Sequence, residues 1–385
     1  MDYKEIIEYL NHIDEKREWN FGLERTNLLL EKIYNPHNKI KFIHVAGSNG
    51  KGSVCHMISS ILTTKFKVGL YTSPHLVSFN ERFQINGKKI TDEDIVRIFS
   101  IIEPLITDQT YFEIVTCMAF LYFADKKVDY AIIETGLGGR LDATNVITPE
   151  ISVLTKIGLE HTNILGNSLE EIAKEKCGII KEGKSVVTVE QDPVVREIIE
   201  KIGNERDCKV IISNRKENTN LIGAYQNLNA GLAATSVTIL DLGISEKEIK
   251  NALLKVNLKG RLDIRGNVIF DVAHNPDGIN VLVNYLKDNI DKEIICVFGV
   301  LNDKDWKKML DRLNEKVGSY IFTKPNSNRS LEPSFLAEYN KGKKEYQMEE
   351  NPIKAFDIAR GLDEGKIILV TGSFYVVSEI LSKDF

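Results

Sequence analysis

Ile43-His44-Val45-Ala46-Gly47-Ser48-Asn49-Gly50-Lys51-Gly52-Ser53 is the stretch on which the reading of this chain turns. An apolar, β-branched run over residues 40–45 reads as a strand. Glycines break it, and apolar spacing over residues 54–62 predicts a helix. Strand, glycine loop with an embedded Gly-Lys, and helix form the pattern of a phosphate-binding loop. Glycines let backbone N–H groups approach phosphate oxygens, the helix N-terminus adds partial positive charge, and Lys51 reaches the β- and γ-phosphates. The match to G-x-x-x-x-G-K-[ST] is incomplete. Val45 stands where the first glycine belongs, and Gly52 separates Lys51 from the hydroxyl of Ser53. On these residues alone, a glycine-rich turn that binds nothing stays open.

Working outward, residues 68–71 read as a strand ending in Thr72-Ser73-Pro74-His75-Leu76. Proline stops further pairing and leaves hydroxyls at the strand's carboxyl end, where ligands collect in open α/β sheets. Phe79-Asn80-Glu81-Arg82-Phe83 reads as a polar and aromatic loop, and Thr91 as a helix N-cap. A helix is predicted from Thr110-Tyr111-Phe112-Glu113 to Phe123. Residues 130–134 read as a buried parallel strand ending on Glu134 and running into Thr135-Gly136-Leu137-Gly138-Gly139-Arg140-Leu141-Asp142. An acid there suits a magnesium ion, though it could equally cap the strand end. A strand at residues 151–156 leads to Gly158-Leu159-Glu160-His161-Thr162. Ser168-Leu169-Glu170-Glu171 then predicts a capping box, opening a helix through Lys174, Lys176 and Cys177. By themselves His161, Lys174 and Lys176 carry no role.

Upstream, residues 3–33 carry helical spacing on either side of Phe21-Gly22-Leu23-Glu24-Arg25. Downstream, a strand at 209–212 and a helix from Gly223-Ala224-Tyr225-Gln226-Asn227-Leu228-Asn229-Ala230 continue the α/β alternation. The pattern breaks at Leu258-Lys259-Gly260-Arg261, which places domains at 1–259 and 260–385. The second repeats the rhythm with strands at 268–271, 294–298, 319–323 and 366–370. The expected fold is α/β. A phosphate-loop domain with a mostly parallel sheet precedes a smaller Rossmann-like domain.

At 385 residues the chain can bury two cores. A formal net charge of −5 argues against a general binder of nucleic acid or anionic membranes. The start of the chain has neither the basic residues nor the apolar core of a signal peptide, and no apolar run is long enough to span a bilayer. The five cysteines are scattered and form no C-x-x-C pair, as expected of reduced thiols in the cytoplasm.

Taken together, the motifs resemble the folylpolyglutamate synthase/dihydrofolate synthase family of the Mur ligase superfamily. The resemblance runs from Phe21-Gly22-Leu23-Glu24-Arg25 to Gly372-Ser373-Phe374-Tyr375. Its most specific elements are Ser48-Asn49-Gly50-Lys51-Gly52-Ser53, Ser73-Pro74-His75-Leu76, Phe79-Asn80-Glu81-Arg82 and Glu134 through Asn145. Glu160-His161-Thr162, Glu175-Lys176-Cys177-Gly178-Ile179 and Asp271-Val272-Ala273-His274-Asn275-Pro276 add to it. The shifted glycine and delayed hydroxyl of the loop are also this family's form.

The resemblance implies an ATP-dependent carboxylate–amine ligase that adds L-glutamate to dihydropteroate, to the glutamate tail of reduced folates, or to both. Both activities together are the leading expectation, with tail extension alone as the alternative. It implies that Asn49, Gly50, Lys51, Gly52 and Ser53 hold ATP as co-substrate, with Asn229, Arg261, Asp271 and His274. It implies that Ser73, Glu134, His161 and a carbamylated Lys176 hold two magnesium ions, with a monovalent cation as a further candidate. Lys51, Glu134, His161 and Lys176 would be catalytic. Arg82 would meet a substrate carboxylate. Thr110, Tyr111, Phe112, Glu113, Leu141, Asp142 and Ala143 would line the pterin site. Thr323, Arg329 and Ser373 are candidates for the glutamate pocket, and also read as ordinary loop polar groups.

The expected partners are small molecules only, with no nucleic acid or membrane, and the expected state is a monomer. Three departures from the family pattern stand out: Ser48 for threonine, Cys177 for alanine, and Leu258-Lys259 for Trp-Pro before Gly260-Arg261. A peptidoglycan-precursor ligase would need a domain ahead of the loop strand, where only about 40 residues stand. A nucleotide switch or hydrolase is the reading from another class. A guanine-reading Asn-Lys-x-Asp is absent from the sequence.

Overall fold

The computed structural model describes residues 1–16 and 21–383. Among these, eight strands form the first sheet: β1 (Lys41–Ala46), β2 (Val68–Tyr71), β3 (Phe83–Ile85), β4 (Lys88–Lys89), β5 (Tyr130–Glu134), β6 (Ile151–Leu154), β7 (Ser185–Val189) and β8 (Val210–Ser213). Their order is β4-β3-β2-β5-β1-β6-β7-β8. The six strands from β2 across to β8 run parallel, and β3 and β4 pair antiparallel at one edge. The central strands β1, β5 and β6 are apolar runs without alternation because helices cover both faces of such a sheet.

Six further strands form the second sheet: β9 (Asp263–Arg265), β10 (Val268–Phe270), β11 (Ile294–Phe298), β12 (Ser319–Phe322), β13 (Glu345–Met348) and β14 (Ile367–Thr371). Their order is β13-β12-β11-β14-β10-β9, with β9 alone antiparallel. The fold is the α/β class read from the sequence.

Contacts divide the chain into two compact units, Met1–Asn220 with Gln226–Val256, and Leu221–Tyr225 with Asn257–Phe385. A single cut at 259/260 therefore misses the short segment Leu221–Tyr225. It belongs to the second unit because Ile222 and Tyr225 pack against that unit's core.

In the first unit, the helices Tyr3–Lys16, Glu24–Lys32, Asp92–Ile102 and Tyr111–Asp125 share one core with Phe42, Tyr71 and Ile133 of the sheet. A second core joins Ala46, Leu154 and Val186 to the helices Leu169–Cys177 and Pro193–Glu205. Thr91 and Thr110 cap their helices. Ser168 caps only half as expected. Its hydroxyl accepts the Glu171 N–H, but the Glu171 carboxylate takes the N–H of Asn167 instead of that of Ser168.

The stretch read as a loop at residues 79–83 is a 3₁₀ turn, Phe79–Arg82, entering β3. The β3–β4 hairpin closes on Asn86-Gly87, both left-handed, which is a turn signal visible in the sequence. The strands β7 and β13 are also additions. Among the described residues no helix is long and apolar enough to cross a membrane, and all five cysteines are free, four of them buried.

Candidate active site

β1 delivers the loop at the centre of the first sheet, between β5 and β6. The Ser48 N–H bonds the Lys156 carbonyl, while its hydroxyl donates to the Gly158 carbonyl and accepts the Gly158 N–H. Ser48 is thus a clamp between two strand exits, a job its hydroxyl does without the extra methyl of threonine. Gly50, at φ 93°, sits at the N-cap of the helix Lys51–Leu62, a left-handed position that favours glycine. Asn229 closes on it from the side, its Oδ1 2.9 Å from where a β-carbon would stand. Asn229 is held by Gln226, which in turn donates to the Ser53 hydroxyl at 3.3 Å. Asn229 and Ser53 are therefore linked at the loop through Gln226.

The Lys51 ammonium donates to the carbonyls of Gly47 (2.8 Å) and Ser48 (3.3 Å). Lys176, wholly buried, reaches the same Gly47 carbonyl at 2.9 Å and pairs with Glu160 at 2.6 Å. Burial drives the Lys176 pKa down, with Lys51 adding to that, while Glu160 opposes it. Burial pushes the Glu160 carboxyl up, but Lys176 and Lys51 overcome it and hold the group far below the usual carboxylate range. The two directions agree physically, since the acid faces two cations while the lysine faces one anion and one cation. His161, in the left-handed region at φ 47°, lies near enough to Glu160 to help keep it ionised.

Glu134 ends β5 opposite Val45, buried to 4% exposure. Its Oε2 accepts the Ser73 N–H at 3.1 Å, and Gly52 lies alongside. Among the described residues no three His, Cys, Asp or Glu side chains come together as a metal cluster. Glu134 beside Ser73 nonetheless presents hard oxygen donors at the phosphate loop. Magnesium is commonly held by one or two carboxylates plus phosphate and water, so these residues fit it. Lys176 as an ammonium is no ligand. It would serve only as the carbamate, after giving up the Glu160 pair.

Beyond the Ser73-Pro74-His75 turn, Arg82 is buried, its Nε donating to His75 Nδ1 at 2.8 Å and its guanidinium 5.4 Å from the Tyr111 ring centre. Burial first, and the Arg82 charge second, push His75 down to about 4, so the ring is neutral and accepts. Phe112 stacks on Tyr71 with centroids 6.0 Å apart and lies against Gly136, where a β-carbon would come within 2.6 Å. Arg82, Tyr111, Phe112 and Gly136 thus form one wall. Leu141 is half-buried and Ala143 buried in the loop that follows.

Three residues expected at this wall also hold the local backbone. Thr110 and Glu113 cap each other's backbone at the helix start, and Glu113 also forms a two-pronged pair with Arg25 at 2.7 and 3.0 Å. Asp142 accepts the N–H groups of Leu137 and Thr144 and the Thr144 hydroxyl.

In the second unit, Asp271 is buried at the end of β10 and accepts the N–H groups of Leu262 and Ala273. Burial raises its pKa, with the Arg261 charge pulling the other way. The His274 ring bonds the Val272 carbonyl. Thr323, fully buried, donates to the Glu350 carbonyl, and Ser373 caps the helix Phe374–Leu381. Arg329 is 45% exposed, 3.8 Å from Asp303. These three are not brought together by any described bond.

The Mur ligase middle domain matches residues 45–265, and the Mur ligase glutamate ligase domain matches residues 260–374. The chain belongs to the Mur ligase family. A dihydrofolate synthase/folylpolyglutamate synthase of Bacillus subtilis is 35% identical to this Mur ligase over 93% of this chain and 94% of the relative. The folylpolyglutamate synthase of Lacticaseibacillus casei is 31% identical over 99% and 98%. Mycobacterium tuberculosis folylpolyglutamate synthase, solved with ADP and AMPPCP, superposes with TM-score 0.91 at 30% identity, covering 98% of each chain. Escherichia coli FolC with DHPP and ADP gives TM-score 0.89 at 29% identity, covering 99% and 97%.

Sequence reasoning left several of this ligase's groups without a role. Gln226 stands three residues before Asn229 on one helix face, a spacing that was readable. Glu160 was visible only as the neighbour of His161. Arg25 and His75 lay in quoted motifs, but what they hold comes from distant parts of the chain.

Proposed function

We propose that this chain is an ATP-dependent amide ligase that joins L-glutamate, through its amine, to the carboxyl of dihydropteroate and to the glutamate tail of reduced folates. In the first step a carboxylate oxygen of the acceptor attacks the γ-phosphorus. The new O–P bond forms as the bond to the bridging oxygen breaks, and ADP leaves with that electron pair. In the second step the glutamate amine attacks the acyl carbon and loses a proton. The C–O bond to phosphate then breaks from the tetrahedral intermediate.

There is little covalent work for the protein in either step, so positioning and charge neutralisation carry the rate. The loop N–H groups and Lys51 hold the phosphates, with Asn229 and Ser53 alongside. Glu134 and Ser73 would hold Mg²⁺ with the nucleotide, and the ion would neutralise charge on the transferring phosphoryl group. A second Mg²⁺ would be held by His161 and by Lys176 as its carbamate. Arg82, fixed by His75, orients the acceptor carboxylate through its planar fork. Arg261, Asp271 and His274 serve the nucleotide, and Arg329 remains the candidate for glutamate. A monovalent cation is a further candidate, and one chain carries every group in the scheme.

One observation carries the reading. The three residues Ser73-Pro74-His75 bond Glu134 at one end and Arg82 at the other. The acid beside the phosphate loop and the arginine of the acceptor wall are therefore tied to the same turn, which a plain nucleotide hydrolase would not need.

The test is ADP release by purified protein with L-glutamate and either dihydropteroate or tetrahydrofolate, each omitted in turn. Release dependent on glutamate with both acceptors is expected. Release with tetrahydrofolate alone narrows the activity to tail extension. Release indifferent to every acceptor overturns the ligase reading.

A further inference from the structure

Behind the acceptor wall lies a buried polar chain that the proposed reaction does not use. His44 sits on β1, fully buried, paired in register with Ile133 of β5 and Ser152 of β6. Its Nε2 is 2.8 Å from the Thr144 hydroxyl, which lies 2.5 Å from Asp142 Oδ1. Asp142 also takes the Thr144 N–H on Oδ1 at 3.0 Å and the Leu137 N–H on Oδ2 at 2.8 Å.

The proton positions follow from these contacts. Each carboxylate oxygen is already an acceptor, so the Thr144 hydroxyl proton points to Asp142. The hydroxyl's remaining lone pair then faces His44, which must donate from Nε2. His44 Nδ1 has no hydrogen-bond partner among the described residues. A bare acceptor is the cheaper of the two ways to leave that nitrogen, an orphaned buried N–H being the costlier. Both considerations give the same tautomer: neutral, with the proton on Nε2.

Asp142 in turn ties residue 137 to residue 144 and so closes the loop between them. Gly136, at the start of that loop, is the surface on which the Phe112 ring lies. We propose that His44 and Thr144, which touch no reacting atom, are positioning residues for the acceptor. Through Asp142 they fix the loop that seats Phe112, and so set how well the acceptor is held while leaving ATP binding alone. This rests on the ligase reading above.

The first experiment compares wild type, Thr144→Val and Thr144→Ser in the ADP-release assay, with KM measured separately for dihydropteroate and for ATP. Valine keeps the shape but leaves two buried polar partners unmatched, so the dihydropteroate KM should rise roughly tenfold. The ATP KM should stay within about twofold, and serine should restore most of the loss. An unchanged acceptor KM, equal rises for both substrates, or a serine variant no better than valine would each overturn the proposal. Should Thr144→Val be insoluble, Thr144→Ala carries the same comparison.

The second readout is independent of activity. Long-range ¹H–¹⁵N correlation of the His44 ring should give a neutral, Nε2-protonated imidazole in the wild type. An Nδ1-protonated or charged ring would overturn the chain. A wild type that turns over no acceptor would sink the ligase reading instead, while the ring spectrum still decides the hydrogen-bond chain.

Discussion

The carboxyl ends of the two parallel sheets are furnished alike and used differently. At the first, two ammonium groups and two carboxylates gather round one loop: Lys51 and Lys176 on the Gly47 carbonyl, Glu160 on Lys176, and Glu134 on the Ser73 N–H. At the second, the polar groups are taken up by their own backbone. Asp271 serves Leu262 and Ala273, Thr323 serves Glu350, and Ser373 serves Val376. Every strand end exposes backbone groups that need partners, so polar side chains collect there by default. Charge in excess of that backbone demand marks the chemistry.

The comparison is open to direct attack. Lys51→Ala should cut ADP release by about a thousandfold, the scale of removing a charge that stabilises the transferring group. A loss below tenfold would mean that the first sheet's charges are not the working ones. Gly139→Ala attacks the support beneath Lys176. Its β-carbon would come within 2.7 Å of the Lys176 carbonyl and 2.8 Å of that of Glu175. Overpacking against backbone should cost about 3 kcal/mol in denaturant unfolding, with lower activity.

His44 adds a pH signature to the same edge. Burial pushes its pKa down to about 3 from 6.5, so the folded state refuses a proton that the unfolded chain accepts. Its stability contribution is therefore complete above about pH 6.5 and is lost as pH falls towards 3. Wild type should lose about 2 kcal/mol from this group by pH 5, and His44→Gln should remove that part of the slope. A slope unchanged by the substitution would refute it.

At the second sheet, Asp271→Asn should destabilise by about 1.5 kcal/mol through the two N–H groups it holds. Any larger fall in activity than in stability would show that Asp271 does more than organise its loop. Arg329→Ala is the smallest case, within about 0.5 kcal/mol for an exposed, loosely paired arginine. A raised glutamate KM at unchanged stability would place Arg329 in the substrate site.

The same contrast explains what the sequence disclosed. The glycine loop, the strand ending on Glu134 and the cap at Thr91 were legible because each is a local pattern of spacing and residue type. The ion pair of Glu113 was not legible for the converse reason. Its partner Arg25 stands 88 residues away in the sequence. Ser73 next to Glu134, His75 under Arg82, and the run from His44 to Asp142 are joined through tertiary packing. No single-sequence spacing encodes them. The excursion of Leu221–Tyr225 escaped for a similar reason, since its apolar residues suit either core.

That excursion bears on how such a protein can be divided. The chain passes from one unit to the other at 220/221, 225/226 and 256/257. A gene fragment starting at 257 would encode the second sheet but omit the strip carrying Ile222 and Tyr225, leaving its apolar seat uncovered. The two halves are therefore not interchangeable cassettes. A graft of the C-terminal half onto another ligase would have to bring the five-residue strip with it, which adds junctions at 220/221 and 225/226.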